Sequence, residues 1–315
     1  AFGFAEAWEK FAEFAPSSGD PATAPLDAAA QWVTDVARAS GEPRMLVVVH
    51  ARGGHPPWDV RDPSTVPPKD YTGLVEPRRA AEILAKLRKR KAREVLNDAD
   101  RVRVRALEQI ALGGQDRALG GLVAALKSAN LWDQTLLMVT GDVASGASDA
   151  FLYADGLDLD ERLLTLPLYV HFPAGLYGGR RVVDATEIYD VAKTALAALG
   201  LSFVRPALGR DLAAVASEVE TGAAGPQVAT LGERYAARWG DLVLAGRFPK
   251  PPSMCDLSVD AACAFDRRDV MPLATLGIFR RLVHAGTAAR GLAPPREPAT
   301  IDADTLAQLK VWGED

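Results

Sequence analysis

A carboxylate at the end of an apolar run is the group in this chain best placed for metal chemistry. Asp142 closes Thr135-Leu-Leu-Met-Val-Thr-Gly-Asp142, a pattern that reads as a buried strand delivering an acid to its carboxyl end. A carboxylate there can ligate a hard or borderline cation, whereas the isopropyl group of the next residue, Val143, cannot. A lone carboxylate makes a poor site, and an Asp after Gly141 in a strand-to-loop turn is also ordinary turn chemistry. Both readings stand. Thr140 and Ser145 flank Asp142, yet no His or Lys is placed to activate either as a nucleophile. A second set of polar groups lies in His50-Ala-Arg-Gly-Gly-His55-Pro-Pro-Trp58. His50 ends another apolar run, where a substrate-facing imidazole and a buried one bonded to a neighbour both fit. His55 is either a catalytic group or a surface-loop histidine, and Trp58 either lines a substrate mouth or packs over the loop.

These groups need strands and helices to hold them. Helical spacing of apolar residues predicts helices over Ala5 to Phe14 and over Pro25 to Ser40, the second with Pro25 at its start and Gly41 after its end. Arg44 to His50 reads as a strand buried on both faces. Arg52 to Pro77 is a loop dense in Gly and Pro, long enough to be functional. A basic helix is expected over Arg78 to Ile110, continuing through Leu107 to Leu122, followed by strands at Leu136 to Thr140 and Leu166 to Phe172 and a helix from Val183 to Leu199. Strand, crossover helix and strand in this order predict a doubly wound, mainly parallel α/β sheet flanked by helices, with ligands at the carboxyl ends of the strands. Past Gly222, Tyr235 to Arg238, Leu242 to Leu244 and Ser253 to Leu257 are short strands before a helix at Leu273 to His284. The expected division is therefore a main domain over 1–221, a small α+β subdomain with an antiparallel sheet over 222–290, and a tail over 291–315.

Composition narrows the function classes. With 315 residues, 48% hydrophobic and 24% charged, the chain can bury one large core or two unequal ones. A net charge of −5 gives no overall positive field to hold nucleic acid, and no apolar run is long enough to be a transmembrane segment. The segment Arg78 to Arg105 departs from this average, with eleven Lys or Arg against four acids. It is either a solvated helix face or a site for an anionic ligand such as a lipid headgroup, an acidic polysaccharide or an acidic protein. Cys255 and Cys263 are spaced unlike a zinc knuckle or a thioredoxin motif. A local disulfide is one reading and two buried thiols the other; a bridge implies an extracytoplasmic location, periplasmic, secreted or on the outer side of a membrane. Because the first residue is Ala, any signal or anchor is expected upstream of this sequence.

Taken in order, the motifs resemble those of sulfatases and their relatives in the alkaline phosphatase superfamily. The helix ending Gln115-Asp-Arg-Ala-Leu-Gly-Gly-Leu122 before the strand to Asp142 resembles the stretch that delivers a metal-binding Asp-His pair, here Asp142-Val143. The His50 to Trp58 run resembles a strand ending in His followed by His-X-Pro-Tyr. Glu161 to Gly175, with Pro167-Leu-Tyr-Val-His-Phe-Pro173, is similar to the Val-Pro-Leu strand running into Phe-Pro-Gly. Asp190-Val-Ala-Lys-Thr194-Ala-Leu and Gly209-Arg-Asp-Leu212 compare with Asp-Leu-X-Pro-Thr-Leu-Leu and Gly-Arg-Ser-Leu. Met254-Cys-Asp256-Leu-Ser-Val-Asp260-Ala and Leu306 to Gly313 echo the family's C-terminal motifs. Six weak motifs in one order over roughly residues 45 to 313 make a consistent fold signal.

The resemblance implies a sulfuric or phosphoric ester hydrolase. In it Asp142 is a ligand of a divalent metal (Ca or Mg, with Zn or Mn as alternatives), His55 contacts the reacting sulfate or phosphate, and His50 and Trp58 bind substrate. It covers only the C-terminal portion of such an enzyme. No Cys-X-Pro-Ser-Arg nucleophile motif occurs, and between Val143 and Pro167 there is neither His nor Lys, with Arg162 the one cation. The metal is therefore expected only with an N-terminal half present, supplied by that half or by another protein subunit, and the isolated chain is expected to be inactive. The alternative is a catalytically dead module that serves as an extracytoplasmic binding or structural subunit.

Overall fold

The computed structural model describes residues 8–15, 19–39, 44–54, 58–60, 62–77, 96–142, 159, 164–202, 209–217, 226–261 and 263–292. The described residues up to Trp132 form one unit and those from Asp133 onward another.

In the first unit, helix α1 (Ala24–Ala39) forms as its sequence predicts. Helix α2 (Asp98–Ser128) buries Val104, Leu107, Ala111, Gln115, Leu122 and Leu126, a stripe at the spacing that a 3.6-residue period puts on one face. Leu26, Ala29 and Val33 of α1 pack against Leu122 and Leu126 at one end of α2. Trp58, Val66, Val75 and Leu96 cover Val104, Leu107 and Ala111 at the other. The loop expected over Arg52 to Pro77 is thus irregular but anchored, with one 3-10 turn at Pro63–Thr65.

Three expectations fail here. The helix expected to run unbroken from Arg78 to Ile110 is interrupted, because Leu96 and Asn97 are not helical. Asn97 caps α2, its side chain accepting the Asp100 N–H at 2.9 Å while the Asp100 carboxylate accepts the Asn97 N–H at 3.0 Å; this reciprocal pair starts a helix rather than continuing one. Residues 8–15 contain no helix, since a short amphipathic segment is marginal unless packing holds it. Arg44 to His50 joins no ladder among the described residues, and Val48 is 66% exposed, while Val49 and Ala51 pack against the cluster of α1 and α2.

In the second unit, β1 (Leu137–Thr140) and β2 (Leu168–His171) form where strands were expected. They pair antiparallel, with Leu137 opposite His171 and Thr140 opposite Leu168. The mainly parallel doubly wound sheet is therefore not what the described residues build, because an apolar run reports burial and carries no information on strand direction. Leu136, Met138, Leu168 and Val170 pack on Phe172 and on Leu212 and Ala216, the latter two from the short helix α4 (Leu212–Ala216). It follows α3 (Ile188–Ala198), which starts later than the expected Val183 because Glu187 and Asp190 form a capping box.

The small antiparallel sheet is an up-and-down meander, β3 (Gln227–Leu231), β4 (Arg234–Trp239), β5 (Leu242–Arg247) and β6 (Ser253–Asp256). Strand β3 escaped the sequence reading because Gln227 and Ala229 dilute its apolar alternation. One face packs against α5 (Pro272–Leu292) through Tyr235, Ala237, Leu244, Met254, Ile278 and Leu282. Tyr235 is 1% exposed, in tilted contact with Phe248 and edge-on contact with Phe279, and its hydroxyl has no hydrogen-bond partner among the described residues. Burial alone pushes that phenol above its ordinary range. Tyr235→Phe is expected to raise stability by about 1 kcal/mol, seen as a higher melting temperature, because it removes a polar atom that folding desolvates without compensation; a lower melting temperature would show that the hydroxyl is satisfied.

The sheet's last strand is tied to the loop behind it. The Asp266 carboxylate accepts the N–H of Met254 at 3.0 Å and of Arg268 at 2.9 Å, and these bonds hold it below the ordinary carboxylate value of 3.8. A depressed carboxyl stabilises the fold above its unfolded pKa and loses that contribution as pH falls through the folded one. The protection of the Met254 and Arg268 amides, measured relative to intrinsic exchange at each pH, should therefore fall below pH 3.8, and Asp266→Asn should abolish that pH dependence.

Candidate functional site

The residues singled out for chemistry divide between the two units. His50 and Trp58 lie in the first and Asp142 in the second, while His55 and Val143 fall outside the described residues. Asp142 is exposed one residue beyond Gly141, at the end of β1. The strand delivers the carboxylate to its end as the apolar run predicts. His50 is exposed at the end of the extended run, not buried. Trp58 is 2% exposed, its indole N–H donating to the Gly54 carbonyl at 2.7 Å, so it anchors its loop from within the core.

Among the described residues, no three His, Cys, Asp or Glu side chains converge as metal ligands. A divalent cation of the kind the resemblance implies needs several oxygen or nitrogen donors. The described residues do not by themselves fit such an ion. Cys255 and Cys263 are bridged, with Cα atoms 5.4 Å apart.

One cation in the His50 to Trp58 loop gave no sequence signal. Arg52 points a guanidinium nitrogen at Asp59 at 3.4 Å, and Asp59 also accepts the Ala22 N–H. A single Arg among Gly and Pro has no spacing to mark it.

The motif residues of the second unit are brought together, and their work is structural. Asp190 and Thr194 are each 2% exposed although polar. The Asp190 carboxylate accepts the Glu187 N–H at 2.9 Å and the Arg210 N–H at 2.7 Å. The Thr194 hydroxyl donates to the Asp190 carbonyl at 2.7 Å and accepts the Leu212 N–H at 2.8 Å. Asp190-X-X-X-Thr194 therefore clamps Gly209-Arg-Asp-Leu212 across an intervening stretch of chain. Gly209 has φ +104, and a Cβ there would lie 2.6 Å from the Tyr189 carbonyl oxygen, so only glycine fits. Glu187 is held above the ordinary carboxylate value, first by burial and then by the Asp190 charge. Likewise Asp256 accepts the Ser258 N–H at 3.0 Å and Asp260 the Phe265 N–H at 2.9 Å, which shapes the turns around the disulfide.

Comparison with known proteins speaks to the fold. No family model matches the chain. No curated protein matches it either. Solved structures do. Ps i-CgsB matches with TM-score 0.59 at 18% identity, over 83% of this chain and 54% of that one. The phosphonate monoester hydrolase of Agrobacterium radiobacter matches with TM-score 0.55 at 19% identity, over 83% and 60%. The Bacteroides fragilis protein yidJ, assigned as a sulfatase, matches with TM-score 0.57 at 16% identity, over 82% and 57%. The chain thus spans between 54% and 60% of the length of these structures. The likeness shows a mixed α/β fold similar to that of these structures.

Proposed function

We propose that this chain is the C-terminal part of a sulfatase-like hydrolase acting on sulfuric or phosphoric esters, and that alone it turns over none. The observation that carries this reading is the likeness of fold to a structure assigned as a sulfatase and to a phosphonate monoester hydrolase over 82% and 83% of the chain. Asp142 at the end of β1 supplies one metal ligand and His55 a contact to the reacting group. The remaining ligands and the nucleophile come from outside the described residues, in an N-terminal half or another subunit. A divalent metal, Ca or Mg with Zn or Mn as alternatives, would be held only with the complementing half present and would there supply positive charge to offset that on the transferring group. His50 borders the substrate mouth, and Trp58 acts on it through the loop it anchors. The Cys255–Cys263 bridge supports an extracytoplasmic location, and no described helix is long and apolar enough to cross a membrane.

Elemental analysis of the purified chain, with an intact-mass measurement, tests this. The chain alone is expected to hold no stoichiometric metal and to hydrolyse neither aryl sulfates nor phosphonate monoesters. With its complementing half it should bind divalent metal, and Asp142→Ala should lower that occupancy by at least about tenfold. Turnover by the isolated chain would overturn the reading. A second reading, a catalytically dead binding or structural module, is favoured by Val143 standing where the family has His. It predicts that metal stays absent even with the complementing half.

A further inference from the structure

Helix α5 is apolar on two opposite sides. Thr275, Ile278 and Leu282 face the sheet and are buried. Leu273 and Leu276, on the other side, are 84% and 55% exposed. The stripe extends backward, because Met271 donates to the Arg267 carbonyl at 2.9 Å and Thr275 to Met271 at 3.0 Å. These bonds wind the chain helically before Pro272 and bring Val270, 74% exposed, onto the same side. Phe265, 73% exposed, stands in the loop that feeds this turn. A helix with a second apolar face has a second layer to meet.

Charge says what that layer is. Helix α5 contains no Asp or Glu, and its outward side also carries Arg280, Arg281 and His284, all exposed. The nearby acids are engaged: Asp266 with the Met254 and Arg268 N–H groups, and Asp269 with the Arg268 guanidinium at 3.3 Å. Protruding apolar side chains beside arginines, on a helix without Asp or Glu, match the boundary between acyl chains and anionic headgroups better than they match another protein surface. We propose that the outward side of α5, with Val270 and Phe265, is a peripheral docking surface for an anionic lipid bilayer. Leu273, Leu276, Val270 and Phe265 enter the interface, and Arg280 and Arg281 pair with lipid phosphates. The surface is independent of the ester-hydrolase reading.

Co-sedimentation of the full chain with large unilamellar vesicles tests it. Binding to vesicles of equal phosphatidylglycerol and phosphatidylcholine is expected to exceed binding to pure phosphatidylcholine by at least about tenfold and to weaken with salt. Leu273→Asp and the pair Arg280→Glu, Arg281→Glu should each remove at least about tenfold of that binding. Their circular dichroism melts should be unchanged, since all three side chains are exposed. No binding to anionic vesicles, or binding that these variants leave intact, would overturn the proposal. So would self-association in sedimentation velocity that Leu273→Asp abolishes, which would assign the face to a second copy.

Discussion

Replacing Asp100 by alanine is expected to cost the first unit about 3–5 kcal/mol and to release the loop over residues 58–77 from helix α2. Asp100 is 1% exposed and accepts from the Tyr71 hydroxyl, from Leu74 N–H at 3.2 Å and from Asn97 N–H at 3.0 Å. Three donors lose their acceptor together, and each buried orphan costs about 1–3 kcal/mol. Arg103 adds to the loss. It is 3% exposed, donates to the Val66 carbonyl and sits 4.8 Å from the centre of the Tyr71 ring, so displacing Tyr71 also disturbs the packing of a buried guanidinium. Burial and the Asp100 hydrogen bond together push the Tyr71 phenol far above its ordinary range. The neutral hydroxyl therefore acts as donor to Asp100 while accepting the Val75 N–H at 2.6 Å. Hydrogen exchange read by mass spectrometry localises the effect: amides over 71–77 and 96–107 should lose protection, with β3 to β6 unaffected. Asp98→Ala is the control. That carboxylate is 98% exposed in an ion pair with Arg101 at 3.1 Å, and its loss should cost under about 1 kcal/mol. Equal effects of the two substitutions would show that the buried network does not hold the loop.

This network also marks where the sequence was legible. Asn97 and Asp100 have the spacing of a capping box, yet the dense charge of Arg78 to Arg105 reads as one continuous helix and hides the cap. The stripe of α2, the positions of β1 and β2 and the meander with α5 were readable because periodicity reports which side of an element is buried. Strand direction was not readable, since pairing partners are fixed by the whole sheet. The apolar run Arg44 to His50 shows the same limit: its composition is that of a strand, but no described neighbour supplies a ladder. At the candidate site, Asp142 was legible as a strand-end acid and the disulfide as a short cysteine spacing. Trp58 carried two readings that no sequence pattern separates, because an aromatic lining a mouth and one packed in a core differ only in what lies above the ring. Asp190 and Thr194 were legible as a motif but not as a clamp, because their partners lie near residue 210 and only folding brings them together.

Replacing Asp190 by alanine should destabilise the second unit by about 3–4 kcal/mol, far more than Asp142→Ala, which removes an exposed side chain. The argument is again the number of orphaned donors. The Glu187 and Arg210 N–H groups both lose the acceptor that is 2% exposed between them. Asp190→Asn keeps one oxygen and should recover part of the loss. The clamp has a second, independent readout. Because the Asp190 charge is the second cause of the raised Glu187 pKa, its removal should bring the Glu187 carboxyl down toward the ordinary carboxylate value, a shift that a purely local packing defect would not produce. Gly209→Ala should mimic the stability loss without moving Glu187, since its Cβ collides with the Tyr189 backbone and leaves the carboxylate in place. If Asp190→Ala left Glu187 unmoved, the two carboxylates would not be coupled and the clamp would be mere proximity. The contrast with Asp142 bears on function as well. Asp190 and Thr194 stand in a stretch that these hydrogen bonds tie into the fold. Their presence supports the fold and says nothing about catalysis. Asp142 is exposed at the end of β1, and metal occupancy with the complementing half is the readout that tests its proposed ligand role.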